Sequence, residues 1–323
     1  TKIYGEADPT FTYSAIGFQN EDDEFTLTGG LSRVMGENVG DYAINLGTMN
    51  AGGNYLINFT SAEFVITPRT LNVMASPNQA KVYGFSDPEL AYTASNFGAG
   101  DTAATLTGVL SRNSGENVGL YPINLGSLSA GLNYTIDFTS AEFEIATKVL
   151  NVTAEAGQSK VFGTSDPDFT YRVNGFENRD NNSILTGTLA RAAGENVGSF
   201  AINLGTLSAG ANYAINYLGA DFMITKAKIS GIIFEDQTFT YDGTSKSLAI
   251  SGTLPTGTSV AYSNNGRTDV GTQEVMATIS GSNYTTLVLT ADLTVIPAAI
   301  GGGITFEDQT FTYDGTSKSL AIS

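Results

Sequence analysis

Gly115-Glu116-Asn117-Val118-Gly119-Leu120-Tyr121-Pro122-Ile123-Asn124-Leu125 reads as a turn that runs straight into a strand. Glycine permits the positive φ of a tight turn, and asparagine tolerates it better than most residues. Tyr121, Ile123 and Leu125 then alternate, which sets three apolar side chains on one face of an extended chain. The same reading holds at 36–40 with Tyr42, Ile44 and Leu46, and at 194–198 with Phe200, Ile202 and Leu204. The copies lie 79 residues apart, so the stretch marks a period.

Other pairs keep that register without insertion. They are Tyr4-Gly5, Tyr83-Gly84 and Phe162-Gly163; Asp8-Pro9, Asp87-Pro88 and Asp166-Pro167; and Asn54-Tyr55, Asn133-Tyr134 and Asn212-Tyr213. After about residue 226 a second pattern takes over. FEDQTFTYDGTSKSLAIS at 234–251 returns unchanged at 306–323, a period of 72. The 323 residues therefore divide into a first repeat at 1–67 that lacks its first strand, repeats at 68–146 and 147–225, a second repeat type at 226–297, and the truncated start of another at 298–323. Both ends fall inside domains and Thr1 opens no signal-peptide pattern, so the chain reads as a fragment of something longer.

Period-two alternation recurs in each repeat, at Phe11 and Tyr13, at Tyr55, Ile57 and Phe59, at Phe64 and Ile66, and at Leu71, Val73 and Ala75. Gly, Asn, Asp and Pro cluster between these runs, and no helical period stands out. Six or seven short strands in 79 residues predict an all-β chain, a tandem array of small antiparallel β-sandwich domains of immunoglobulin type. β-grasp-like repeats are the alternative. The second type shares the order of a Val-Gly turn (Val270-Gly271), an alternating strand (Val275, Ala277, Ile279) and an Asn-Tyr pair (Asn283-Tyr284), which argues for one fold in two variants. Joints such as 67–71 are too short for a tether, so neighbouring domains should abut as a semi-rigid rod, with only 297–303 looser. At roughly 30–40 Å per domain, four in line would exceed about 100 Å.

Composition narrows the chemistry. There is no Cys and no His, which excludes disulfides, thiolate metal sites and any Ser-His-Asp or Cys-His mechanism. A net charge of −17 repels phosphate backbones and anionic membrane surfaces, so nucleic acid is not an expected partner. No apolar run approaches the length of a membrane span. Calcium bound through oxygen ligands is the one cofactor left open.

The pattern Lys-x-Tyr-Gly-x-x-Asp-Pro at 81–88, Leu-Thr-Gly-x-Leu-x-Arg at 106–112, Gly-Glu-Asn-Val-Gly-x-Tyr at 115–121 and Asn-Tyr-x-Ile at 133–136 resembles the bacterial MBG domains of YGX type. The segment around Tyr241-Asp242-Gly243 resembles the companion YDG domain. The resemblance implies a large secreted or surface-anchored, adhesin-like bacterial protein, and it carries no catalytic residues. Phe162 and Phe200 depart from it, each standing where the other repeats have Tyr.

Several side chains are candidates for something sharper. Glu37, Glu116 and Glu195 could bind a ligand; the plainer expectation is a clip onto Arg33, Arg112 and Arg191, four residues earlier in each repeat. Asp8, Asp87 and Asp166, with Asp22, Asp101 and Asp180, are the candidate calcium ligands, although neither EF-hand nor nonapeptide spacing is present. Lys2, Lys81 and Lys160 could form isopeptide bonds if buried beside a carboxylate; as exposed edge-strand charges they would instead deter sheet-to-sheet pairing. Most of the tyrosines fall at core-facing strand positions, and without Trp a lectin surface is poorly supplied.

The functional expectation is a non-catalytic stalk or spacer, extracellular or on a bacterial cell surface. The other reading is a carbohydrate- or protein-binding module with sites in loops or at domain junctions. Partners would be glycan or protein ligands outside the cell, and the truncated ends, 304–323 above all, could exchange strands between chains.

Overall fold

The computed structural model describes residues 1–98, 100–301 and 308–319. Among them the only helical turns are three short 3-10 segments, Glu24–Thr26, Ala103–Thr105 and Asn182–Ile184, and everything else regular is strand. Among the described residues no helix is long and apolar enough to cross a membrane. The chain is thus all-β, and among the described residues the β-grasp alternative lacks the helix it needs.

Two compact units are present. One joins Thr1–Asn151 to Val173–Thr186 and Ser208–Asn216; the other joins Val152–Arg172 to Gly187–Leu207 and Tyr217–Ser323. The division runs through the third 79-residue period. Its strands Lys148–Ala154, Tyr171–Asn174 and Tyr213–Leu218 each straddle it.

In the first unit the second repeat is complete and shows the design. One sheet places Arg69–Ala75 between Tyr134–Thr139 and Tyr92–Ser95. The other runs in the order Gln79–Val82, Glu142–Ala146, Gly119–Asn124, Ser111–Arg112. Inward residues of both sheets make the core: Leu71, Val73, Ile123, Phe143 and Ile145 are fully enclosed. Each such side chain contributes about 1.5–3 kcal/mol by leaving water. The alternation expected from sequence is the observed burial pattern, as in Arg69–Ala75, where every second residue is buried.

Two of these pairings are parallel. Arg69–Met74 runs beside Tyr134–Thr139, and Gln79–Val82 beside Phe143–Ala146. The sheets are therefore mixed rather than antiparallel throughout. The first strands of the repeat lie alongside its last ones because the chain crosses from one sheet to the other between Ala75 and Gln79.

The first repeat keeps only the sheet Lys2–Ile3, Glu63–Thr67, Gly40–Asn45, Ser32–Arg33. The strands expected around Phe11 and Tyr13, and around Tyr55, Ile57 and Phe59, do not form. Their counterparts at Tyr92–Ser95 and Tyr134–Thr139 pair with Arg69–Ala75.

In the second unit, Gly271–Gly281 and Tyr284–Ile296 form a long hairpin extended by Ser259–Ser263. Ala227–Lys228 pairs parallel with the start of Tyr284–Ile296, and Gln237–Thr240 pairs parallel with its end. This is the pairing order of the second repeat with its two last strands fused into one. Ala277, Ile279, Leu293 and Val295 are buried as their alternation predicts. Of the strand-exchange expectation for 304–323, residues 304–307 and 320–323 lie outside the described residues, and 308–319 hold no strand.

Candidate functional site

Each repeat builds one compact ionic cluster at the GENVG turn. In the second repeat, Arg112 sits in the short strand Ser111–Arg112 with its guanidinium between two rings, 5.0 Å from the centre of Tyr121 and 5.3 Å from that of Phe143. All five of its N–H groups are used. Nε donates to Asp87 Oδ2 at 2.7 Å, and Nη2 to Asp87 Oδ1 and Glu116 Oε1, both at 2.9 Å. Nη1 donates to the carbonyls of Asn113 (2.9 Å) and Gly115 (2.7 Å). Lys81 Nζ bonds Asp87 Oδ1 at 2.7 Å and also reaches Glu116 Oε2.

Two cations thus meet two carboxylates with no net charge. The cationic side chains are buried, 4% exposed for Lys81 and 6% for Arg112, whereas Asp87 and Glu116 are 37% and 63% exposed. Lys2, Asp8, Arg33 and Glu37 repeat the cluster in the first repeat, as do Lys160, Asp166, Arg191 and Glu195 in the third. The expected Arg–Glu clip is real, but Asp holds the arginine in the bidentate grip. The lysines are not exposed edge charges. They are buried at 6–8% exposure, because the cluster compensates the desolvated ammonium.

Electrostatics fixes the protonation states. Arg112 hydrogen bonds, aided by Lys81, hold the Asp87 carboxyl below the usual carboxylate range despite some burial. In the first repeat the Arg33 bonds bring Asp8 down to about 2. Lys81 bonds, and secondly Arg112, lower Glu116. Burial alone would pull the Lys81 ammonium down, but its bonds to Asp87 and Glu116 outweigh that and raise it. Amide formation between Lys and Asp needs a neutral amine and a protonated carboxyl. The ingredients of an isopeptide bond are within reach here, in the opposite protonation states.

The glycine that opens the motif is required. Gly115 has φ +147°, and a Cβ there would lie 2.3 Å from the Tyr121 ring. The Tyr121 hydroxyl returns to the Asn117 carbonyl at 2.8 Å and closes the turn. An open cleft of about 470 Å³ lies over the cluster, lined by Asp87, Pro88, Leu90, Val109, Arg112 and Glu116. Asp87, Arg112 and Glu116 there are committed to one another, and Glu89, which also lines the cleft, is exposed.

The Asn and Val of the same motif face the next repeat. Asn133 Oδ1 accepts from the Val39 amide at 2.9 Å, and its Nδ2 donates to Asn38 Oδ1 at 3.0 Å. Asn212 does the same for Val118 and Asn117, and Asn283 for Val197 and Asn196. The carbonyls of these three asparagines accept the amides of Arg69, Lys148 and Ala227. Beside each asparagine a tyrosine packs edge-on against the Tyr-Gly ring of the preceding repeat. The pairs are Tyr134 on Tyr4 and Tyr213 on Tyr83, both 5.3 Å between centroids, and Tyr284 on Phe162 at 5.5 Å.

Two of the second set of calcium candidates, Asp101 and Asp180, lie at these joints. Asp101 accepts the hydroxyls of Tyr134 (2.8 Å) and Tyr4 (3.0 Å), and Asp180 those of Tyr213 and Tyr83 at the same distances. Burial first, then the neighbouring aspartate, raises the pKa of Tyr4; Tyr213, buried and beside Asp180, is pushed up to about 12. Asp22 accepts only from Tyr55, at 2.7 Å. Among the described residues no three acidic groups converge as a metal site would require. Sequence reasoning missed the basic residue at the start of the incoming strand in the second and third repeats. Arg69 Nε donates to the Tyr4 carbonyl at 2.8 Å; Lys148 pairs with Glu177 at 2.8 Å and lies 4.5 Å over Phe85. Their recurrence 79 residues apart was the available signal.

Comparison with known proteins adds one strong match. The family model described as MBG domain (YGX type) matches residues 1–65, 71–144 and 150–223. No curated protein matches the chain. Solved structures with some similarity include the human desmocollin-1 ectodomain (8% identity, 85% of this chain and 70% of that one, TM-score 0.19). Others are sidekick-1 immunoglobulin domains 1–4 (10%, 80% and 83%, 0.24) and the protocadherin gammaB4 extracellular domain (10%, 92% and 65%, 0.25).

Proposed function

The chain belongs to the MBG domain (YGX type) family, and we propose that it is a non-catalytic structural stretch of a bacterial secreted or cell-surface, adhesin-like protein, acting as a stalk or spacer. We read 226–297 as the YDG-type companion domain, continuing the same array. The observation that carries the proposal is the joint. The same Asn-to-Asn and Asn-to-amide bonds, with an aromatic pair beside them, recur at all three repeat boundaries. Each cluster of charged groups is spent on its own neighbours, so a repeat offers a turn, a clamp and a joint rather than a reaction centre. Fixed joints suit a part whose work is to hold something at a distance.

Small-angle scattering on the chain tests this. A spacer of four abutting domains should give a maximum dimension above about 100 Å, from roughly 30–40 Å per domain. A compact particle would overturn the reading.

A further inference from the structure

We propose that each repeat is a shear clamp, built to carry tension along the chain. The inference rests on the structural-repeat reading and concerns a property that reading does not require. Its basis is strand direction. In the second repeat, incoming strands Arg69–Ala75 and Gln79–Val82 run parallel to, and beside, outgoing strands Tyr134–Thr139 and Glu142–Ala146. Tension pulls an incoming strand from its N-terminal end and an outgoing strand from its C-terminal end. For parallel neighbours those pulls are opposed along a shared axis. The ladder bonds lie across the pull and must all be strained together, whereas pulling both strands at one end opens them one rung at a time.

Other domains share the arrangement. Lys2–Ile3 runs parallel to Ile66–Thr67, and Ser159–Val161 to Met223–Thr225. In the last domain Ala227–Lys228 and Gln237–Thr240 both run parallel to Tyr284–Ile296. An alternation of up and down strands would suffice for a sandwich core. Parallel terminal strands in every domain go beyond that need.

The ionic cluster adds a second lock on the sliding strand. Lys81 lies on Gln79–Val82, and its buried ammonium is held by Asp87 and by Glu116 of the GENVG turn. Sliding that strand drags the buried ammonium away from both carboxylates, which costs more than breaking a fully exposed pair. Lys2 and Lys160 occupy the same place on their strands. The Thr67 and Thr225 hydroxyls, donating to the Lys2 and Lys160 carbonyls at 3.2 and 3.1 Å, tie the same strands to their outgoing partners.

The chain has no cysteine, so introduced thiols are unique handles for single-molecule pulling. Pro68→Cys with Thr147→Cys loads the second repeat in shear. Pro68→Cys with Leu132→Cys loads the same ladder at one end, since Arg69 is opposite Tyr134. All three positions are exposed. In shear, the 79 residues between handles should lengthen in one event by about 260–280 Å less the folded span. At one loading rate the shear force should be at least about twice the peeling force, because the rungs load together. Lys81→Met should lower the shear force and leave the peeling force nearly unchanged; Glu116→Gln, at the exposed side of the cluster, serves if that variant does not fold. Equal forces in the two geometries would overturn the proposal and leave the spacer reading standing. A compact particle in scattering with unequal forces would do the reverse.

Discussion

Replacing Lys81 with Met isolates what the ionic cluster contributes. Methionine retains most of the aliphatic stem, so the change removes an ammonium more than it opens a cavity. Losing one partner of a buried ion pair costs about 3–5 kcal/mol, and losing an exposed one about 0–1. Here the cation is 4% exposed while its partners, Asp87 and Glu116, are 37% and 63% exposed. Water and Arg112 remain available to both carboxylates. The expected loss is therefore intermediate, about 2 kcal/mol, or a fall of about 8–16 °C in the Tm of a domain this size melting alone. Urea unfolding of the full chain, followed by calorimetry, reads both. The pH dependence gives the sign. Asp87 and Glu116 have folded pKa values below their ordinary ones, so their contribution is present above the ordinary carboxylate range and is lost as pH falls through the folded values. Lys81 is raised, so its contribution is complete below its ordinary value and lost as pH climbs past the folded one. The cost of Lys81→Met should then be level from about pH 5 to 10 and shrink below about pH 4. A loss under about 0.5 kcal/mol at pH 7, or an equal loss at pH 2, would refute the argument that the cluster stabilises through charge.

At the first joint, Asn133→Ala removes the bonds to the Val39 amide and to Asn38. It should weaken coupling between the first two repeats by about 1–3 kcal/mol and split one calorimetric transition into two; an unchanged single transition would count against the joint as the coupling element. Calcium should leave the Tm unmoved. Asp8, Asp87 and Asp166 each bind a lysine and an arginine, and Asp101 and Asp180 each accept two tyrosine hydroxyls, so a metal would have to displace these partners. A Tm that rises with calcium and falls with EDTA would show that it does.

Much of this was legible beforehand because two periods are superimposed on the chain. The 79-residue period marked the repeats, and the two-residue period marked which side chains face inward, as at Leu71, Val73 and Ala75. Register between distant strands leaves no such mark. Nothing local in Lys-x-Tyr-Gly says that Lys81 runs parallel to Ile145 and meets Glu116, 35 residues away. Lys81 therefore read as a surface charge until the tertiary pairing supplied its counterions. Asp101 was singled out as a calcium candidate, but its true partners were hidden for the same reason. Its partners, Tyr4 and Tyr134, lie in different repeats, and in the first repeat its counterpart Asp22 is masked by the acidic neighbours Glu21, Asp23 and Glu24.

The same motif looks inward and outward at once, and this gives a physical reason for its exact return. Within GENVG the first glycine makes room for the Tyr/Phe ring, and Glu closes the ionic cluster of its own repeat. Asn and the Val amide belong to the joint with the next repeat. A substitution at Glu116 is thus a local event, whereas one at Asn117 acts on two repeats. The departure at Phe162 fits this division. Phe162 packs its ring on Tyr284 of the differently built last domain, so at that joint the aromatic contact persists without a hydroxyl to donate to an aspartate. Where the neighbour is another 79-residue repeat, Tyr4 and Tyr83 keep the hydroxyl, and Asp101 and Asp180 are there to accept it. Phe200 keeps its ring beside Arg191 at 5.2 Å, yet cannot make the hydroxyl-to-carbonyl bond that closes the turn in the first two repeats. The two aromatic departures therefore differ in kind: one follows the identity of the neighbouring domain, and the other drops a bond inside a single turn.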